Sequence, residues 1–255
     1  MAIPVLRVDS LCKSFGGVHA IRNLSFDVNE GQILGLIGPN GSGKSTTVNS
    51  LAGLFPITSG KITLGGGKID NLPEYDRVAR GLSRTFQTAS TFTEFTVRDH
   101  VMLGCNVTRT SHPLSSVFGI GRKANEEKAL ASRVDQILEI TDLKAVQNHR
   151  VGTISSAQQR FLMIATSLAS TPRVILLDEP AAGLVSHERK TLSDLIKKIR
   201  DQGTSVLVIE HHMALIMDVC DRIVVLNFGQ KIAEGTPEEI RNNPDVIDAY
   251  LGEAA

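Results

Sequence analysis

The chain reads as an α/β fold whose mainly parallel sheet carries a phosphate-binding loop, and three stretches predict it. Ile33-Leu34-Gly35-Leu36-Ile37 runs through Gly38-Pro39-Asn40-Gly41-Ser42-Gly43-Lys44-Ser45-Thr46 into Thr47-Val48-Asn49-Ser50-Leu51-Ala52, the strand, Gly-rich loop and helix of a P-loop. Val174-Ile175-Leu176-Leu177-Asp178-Glu179-Pro180 is an apolar run ending in two carboxylates, and Ser205-Val206-Leu207-Val208-Ile209-Glu210-His211-His212 repeats the design with a histidine. A strand apolar at every position is buried on both faces, which a parallel sheet provides.

The remaining elements follow in chain order. Val5–Asp9 and Leu24–Val28 alternate with period two, as half-buried antiparallel strands do. Thr58–Lys68 reads as a strand and turn, Val78–Arg80 as the end of a short helix stopped by Gly81, and Leu82–Gln87 as a strand. From Val97 to about Leu168 the pattern changes to helices: Val97–Met102, then a Gly-, Ser- and Pro-containing stretch from Leu103 to Arg122, then Lys128–Ile140 with Leu130, Val134, Ile137 and Leu138 on one face. A further helix runs from about Ala157 to Ala169 and Pro172 closes it. Arg222–Leu226 and Gly229–Gly235 read as two strands, and Thr236–Leu251 as one terminal helix opened by Thr236, Pro237 and Glu239. The expected organisation is a single domain over 1–255, its core formed by 1–96 and 170–255 and its inserted helical part by 97–169.

Composition narrows the partners. With 27 Lys and Arg against 27 Asp and Glu, no bulk charge favours nucleic acid or an anionic surface. Cys12, Cys105 and Cys220 are too scattered for a disulfide framework or a zinc site, which suits a reducing compartment. No apolar run reaches the roughly 18–20 residues that span a bilayer, and Met1–Ser10 lacks the apolar core of a signal peptide.

The chemistry lies in the loop and at the strand ends. The loop glycines let successive N–H groups point at a nucleotide's phosphates, the helix start adds its dipole, Lys44 reaches the β- and γ-phosphates, and the Ser45 hydroxyl suits Mg²⁺. Asp178, at the end of a buried strand, is the acidic partner of that hydroxyl toward Mg²⁺. Glu179 stands one residue on, where a carboxylate can polarise water, and His211 can donate to a γ-phosphate oxygen. Phe15 in Lys13-Ser14-Phe15-Gly16-Gly17 either stacks on a purine or packs under its own hairpin; the residues leave both open. Gln87 alone reads as a solvated loop residue.

In this order, over nearly the whole chain, these motifs resemble the ATP-binding subunit of an ABC transporter. The resemblance implies a P-loop NTPase core of the RecA-like kind, with an N-terminal antiparallel β subdomain and an inserted α-helical subdomain. It implies Phe15 on the adenine, Gly38 to Thr46 on the phosphates of ATP, and Mg²⁺ held by Ser45, Gln87 and Asp178. It further implies Glu179 and His211 at the γ-phosphate, Gln87 as the link to the membrane subunits, and a dimer in which each ATP lies between one P-loop and the other subunit's signature. Within the family the chain looks most like importer ATPases for branched-chain and other hydrophobic amino acids, on Arg84-Thr85-Phe86-Gln87, the long stretch from Leu103 to Lys128, Asp178-Glu179-Pro180-Ala181-Ala182-Gly183-Leu184, and the tail Pro244-Asp245-Val246 to Gly252. Part of that tail also looks like a lipopolysaccharide-export ATPase, and urea importers carry a similar subunit. Other readings of a single cassette are an assembly scaffold without transport and a poorly hydrolysing regulatory subunit.

Two departures point one way. Where the family has Leu-Ser-Gly-Gly-Gln, this chain has Ile154-Ser155-Ser156-Ala157-Gln158, and Val185 stands where Asp or Asn is usual. Both segments serve the other subunit's nucleotide in the family, with Ser155 and Gln158 as the retained signature contacts, and the added Cβ atoms are expected to crowd that approach. The expected assembly is therefore a different ATPase subunit beside this one, two transmembrane permease subunits and, indirectly, a solute-binding protein, peripheral on the cytoplasmic face of the inner membrane.

Overall fold

The computed structural model describes residues 4–85, 92–105 and 120–251, with backbone alone for 120–126 and 251. The chain divides into two compact units, Met1–Gln87 with Arg173–Ala255, and Thr88–Pro172.

The first unit contains two sheets. In one, the hairpin of β1 (Pro4–Phe15) and β2 (Val18–Asn29) pairs through β1 with β4 (Ser59–Leu64), and β4 with the short β5 (Gly67–Lys68). The hairpin strands extend well beyond the alternating stretches that mark them in the sequence. Register shifts between Val8 and Leu11, with Ser10 at φ 52°, let pairing resume after each interruption of the alternation.

The other sheet has the order β10-β9-β3-β8-β7-β6, in which β3 (Ile33–Ile37), β6 (Leu82–Arg84), β7 (Val174–Asp178), β8 (Ser205–Ile209) and β9 (Arg222–Asn227) are parallel and β10 (Gln230–Gly235) is antiparallel to β9. Every residue of β3, β7 and β8 is buried. Helix α1 (Lys44–Ala52) lies between the sheets, where Val48 and Leu51 share one core with Leu6, Leu24 and Phe26 of the hairpin and Leu36, Leu176 and Leu207 of the parallel strands. That packing fixes the helix that opens at the phosphate loop. α2 (Glu74–Ala79) precedes β6.

The opposite face is covered by α6 (Ser186–Asp201) and α7 (Met213–Val219). α6 is the crossover that a parallel β7–β8 pair requires, and it buries Leu192, Leu195, Ile196 and Ile199 at helical spacing. α7 approaches β3 so closely that a Cβ on Gly35 would stand 2.9 Å from the Cys220 sulfur at the helix end.

The C-terminal segment corrects one expectation. In place of one helix there are two, α8 (Pro237–Arg241) and α9 (Pro244–Leu251). Pro244 lacks an N–H and drives Asn243 out of helical geometry, while the Asn243 side-chain oxygen accepts the N–H groups of Asp245 and Val246 at 2.9 and 3.3 Å, starting a new helix. Thr236 and Glu239 do form the reciprocal cap at the start of α8.

In the second unit, α3 (Val97–Cys105), α4 (Ile120–Ile140) and α5 (Ser156–Ala169) bury Val101, Val134, Leu138, Phe161 and Leu162. α4 begins before the apolar stripe that marks it from Lys128, through Lys123, Ala124, Glu126 and Glu127, all good helix formers. α3 meets α5 at Gly104, where a Cβ would lie 2.3 Å from the Thr166 carbonyl oxygen. Among the described residues no helix is long and apolar enough to cross a membrane.

Candidate functional site

The phosphate loop connects β3 to α1 across Gly38–Gly43, and its backbone explains its composition. Gly38, Gly41 and Gly43 have φ of 151°, 71° and 104°, values that L side chains rarely adopt. A Cβ on Gly38 would stand 2.1 Å from the Leu226 carbonyl oxygen, and one on Gly43 2.8 Å from that of Ala20. A Cβ on Gly41, by contrast, would meet nothing within 4 Å, so the loop is open there. α1 starts at Lys44 with no side-chain cap and no acidic residue in its first turn, which leaves its positive end suited to an anion. Lys44 Nζ donates to the loop's own Gly38 and Pro39 carbonyls at 2.7 and 2.8 Å. Asn40 and Ser45 are exposed, Thr46 is half-buried, and the buried Ser42 hydroxyl has no hydrogen-bond partner among the described residues.

Asp178 ends β7 with 3% of its surface exposed. Its Oδ2 accepts a 2.7 Å bond from Arg84 Nη2, an ion pair whose side chains are 11% and 2% exposed, while its Oδ1 is buried without a partner among the described residues. The other arm of the Arg84 fork, Nη1, donates to Asn49 Oδ1 at 2.6 Å. Thr85, the residue after β6, accepts the Asp178 N–H on its hydroxyl at 3.4 Å. Asp178 is thus held through its side chain by one residue of the β6 end and through its backbone by the next.

Glu179 occupies the left-handed region at φ 48°. Its backbone N–H donates to the Ile209 carbonyl at 2.8 Å, which ties the end of β7 to the end of β8. A non-glycine residue in that conformation carries strain that the surrounding structure must over-determine, a condition found at functional positions. Among the described residues no hydrogen bond is made by its carboxylate, which leaves the group available to a ligand or water.

The sequence reading passed over Glu210. It is 1% exposed, its Oε1 accepts the Ala181 N–H at 2.7 Å, and its Oε2 accepts the N–H groups of His211 and His212 at 3.1 and 3.2 Å. One buried carboxylate therefore fastens the turn after β7 to the turn after β8. The legible signal was a charged residue at the end of a wholly apolar strand, which must be paired to be buried. The two histidines separate in role: the His211 side chain is 66% exposed, whereas His212 caps α7, its Nδ1 accepting the Leu215 N–H at 3.3 Å.

Phe15 ends β1 and is 48% exposed. Its ring meets Phe55 edge-on at 5.3 Å, and Lys13 Nζ lies 4.7 Å from its centroid. The ring is therefore braced by Lys13 of its own strand and by Phe55 beyond α1, and still exposes about half its surface. Ala20, near the start of β2, abuts Gly43, which brings that hairpin to the phosphate loop. Gln87 lies outside the described residues.

Ser155 and Gln158 stand in the second unit, at the start of α5. The Gln158 N–H donates to Ser155 Oγ at 3.2 Å and the Ser155 N–H to Gln158 Oε1 at 3.0 Å, so both side chains cap the helix reciprocally. Ser156 is exposed, but Ala157 is buried at 7% on the inner face of α5. Of the two added Cβ atoms, that of Ser156 lies at an exposed position of this chain, while Ala157 shares the buried side of α5 with Phe161 and Ala165. Val185, 52% exposed, precedes α6 without any side-chain acceptor, and its N–H donates to the Glu188 carboxylate at 2.9 Å.

Comparison with known proteins agrees with this geometry. The ABC transporter family profile matches residues 21–182, and that of branched-chain amino acid ATP-binding cassette transporters matches 230–255. The chain is 40% identical, over the full length of both, to the high-affinity branched-chain amino acid transport ATP-binding protein BraF of Pseudomonas aeruginosa. It is 38% identical, again over both full lengths, to the corresponding LivG of Escherichia coli. The lipopolysaccharide export ATP-binding protein LptB of Haemophilus influenzae is 32% identical across 98% of each chain. Among solved structures, the ADP conformation of an ATP-binding cassette of an ABC transporter superposes with a TM-score of 0.85 at 29% identity, covering 98% of this chain and 100% of that one. With the phosphate loop, the acidic end of β7 and the histidine end of β8 on one sheet, and with relatives matched end to end, the chain belongs to the ABC transporter family as an ATP-binding subunit.

Proposed function

We propose that this subunit hydrolyses ATP to drive uptake of branched-chain or other hydrophobic amino acids, and that its own P-loop face is the competent half of an asymmetric ATPase pair. The observation that carries the hydrolytic part is the uncapped start of α1 beside a buried, half-satisfied Asp178. The amino acid substrate is supported by the C-terminal profile match and by the names of the 40% and 38% identical relatives.

In this reading the N–H groups of the loop and of the first turn of α1 bind the β-phosphate, and Lys44 leaves the Gly38 and Pro39 carbonyls to pair with the β- and γ-phosphates. Phe15 offers its open ring surface to the adenine. Ser45, Asp178 and Gln87 are the residues that would hold Mg²⁺; the partnerless Asp178 Oδ1 fits a cation ligand, and the ion's contribution there is neutralisation of charge on the phosphate oxygens. Glu179 orients and polarises the attacking water, and His211, exposed at the end of β8, donates to the transferring group. The Gln87 region and the helical unit carry closure to two permease subunits.

The partner ATPase is a different chain. Ser155 and Gln158 are engaged in capping α5, Ser156 replaces a glycine at an exposed position, and Val185 offers no polar atom; each weakens what this chain gives to another subunit's nucleotide. ATP hydrolysis by the purified chain, alone and mixed with a second ATPase subunit of the same transporter, tests both parts. Lys44→Ala abolishes turnover by this chain, and the partner raises turnover per P-loop. Unchanged turnover on mixing refutes the asymmetric pair, and hydrolysis that survives Lys44→Ala refutes the site.

A further inference from the structure

Arg84 takes no part in the proposed hydrolysis, yet its guanidinium joins α1 to the acidic end of β7. One arm holds Asp178 Oδ2 at 2.7 Å and the other holds Asn49 Oδ1 at 2.6 Å. Asn49 stands four residues after Ser45 on α1, one helical turn further along the same face. A single side chain from β6 thus bridges the two elements that carry Ser45 and Asp178, and it supplies the positive charge that a buried carboxylate needs when no cation is present.

We infer that Arg84 is a positioning residue that acts as the resident counter-charge of Asp178 and thereby sets how strongly nucleotide binding depends on a divalent cation. This rests on the reading of Asp178 given above. Three observations support it. The ion pair satisfies only one carboxylate oxygen, leaving Oδ1 buried and partnerless, so the arginine orients the group without filling it. The pair is secluded, at 11% and 2% exposure, so its charges are weakly screened. The Asp178 backbone N–H is also tied to the Thr85 hydroxyl, which anchors the strand end that carries the carboxylate next to Arg84. A divalent ion arriving at Oδ1 therefore meets a carboxylate already half-neutralised. Removing the arginine's charge makes the carboxylate a stronger cation ligand and removes a positive group that attracts phosphate in the ion's absence. Both effects raise the dependence on the ion.

The test uses the full chain with ADP as the probe, which binds without turning over. ADP affinity is measured by calorimetry in excess Mg²⁺ and in EDTA, and the ratio of the two is compared between the parent, Arg84→Gln and Arg84→Lys. Glutamine keeps hydrogen-bonding capacity and loses the charge; lysine keeps the charge and loses the fork. The ratio is expected to rise about ten-fold in Arg84→Gln, the scale of one charge-assisted contact, and to stay within about three-fold of the parent in Arg84→Lys. A merely structural arginine would lower the melting temperature of both variants and leave the ratio unmoved, which overturns the inference. A ten-fold change in Arg84→Lys also overturns it, and if Arg84→Gln does not fold, Arg84→Met, which keeps the aliphatic stem and loses the charge, takes its place with the same ten-fold rise expected. A parent whose ADP affinity ignores Mg²⁺ overturns the assignment of Asp178 and this inference together, whereas Mg²⁺ dependence in the parent with no change in the variants overturns the inference alone.

Discussion

The strained backbone at Glu179 gives a stability prediction opposite in sign to the ordinary one. Glu179→Ala and Glu179→Gly both delete the carboxylate proposed to polarise water, and they differ from each other only by a Cβ. At φ 48° that Cβ costs about 1–2 kcal/mol, whereas glycine loses about 0.4–1 kcal/mol through its freer unfolded chain. At the middle of those ranges the difference leaves Glu179→Gly more stable than Glu179→Ala by about 0.8 kcal/mol, or about 2–3 °C in melting temperature for a chain of this size. Urea unfolding of the two nucleotide-free variants measures it, and steady-state ATP hydrolysis shows that both are inactive. At an unstrained loop position alanine is the more stable of the two. An alanine variant at least as stable as the glycine one therefore refutes the claim that the site holds Glu179 against its backbone preference, and a variant that still hydrolyses ATP at the parent rate refutes its catalytic role.

Two further predictions follow from buried polar groups. Arg77 is 1% exposed and donates to the carbonyls of Ser50, Leu51, Asp70 and Leu72 at 2.7–2.9 Å; since Ser50 and Leu51 belong to the last turn of α1, Arg77→Met strands those carbonyls and is expected to cost about 3 kcal/mol in urea unfolding. His100 is buried at 6%, its Nδ1 pairs with Thr166 Oγ1 at 3.1 Å, and its Nε2 has no partner among the described residues. Burial holds the ring's pKa below its ordinary 6.5, so the unfolded chain takes up the proton first. Stability is accordingly full above pH 6.5 and declines as pH falls through that value toward the folded pKa. A pH series of melting curves should show this decline as pH falls below about 6.5, and His100→Leu should flatten it.

The parts of the fold legible in the sequence are those that one local rule decides. Ile33–Ile37, Val174–Leu177 and Val206–Ile209 can be buried only in a sheet covered on both faces, and the glycines of the phosphate loop have no substitute at their φ values. The Thr236, Pro237 and Glu239 cap is local in the same way. What stayed hidden depends on pairs distant in sequence. Arg84 meets Asp178 across 94 positions and Glu210 meets Ala181 across 29, and no periodicity announces either. The left-handed turn at Glu179 was equally hidden, because glutamate carries no preference for it. The break at Asn243-Pro244 was legible and outweighs the helical spacing on either side of it, since a proline there removes a donor whatever the apolar pattern says.

The altered signature can be separated into a part that matters to a partner and a part that matters to this chain. Ala157 is 7% exposed on the inner face of α5 with Phe161 and Ala165, while Ser156 is exposed at the first helical position. Restoring glycine at 157 therefore removes a buried methyl and loosens the helix, costing about 1 kcal/mol, without clearing the outer surface. Restoring glycine at 156 clears that surface and leaves the Ser155–Gln158 cap in place. If the weakened signature face limits turnover, Ser156→Gly alone should raise ATP hydrolysis, with a gain that steepens with protein concentration as two copies pair, and Ala157→Gly alone should raise nothing and lower the melting temperature. A gain confined to Ala157→Gly would mean that α5 must flex, rather than be unobstructed, to serve the facing nucleotide, and the steric account of the asymmetry would fall.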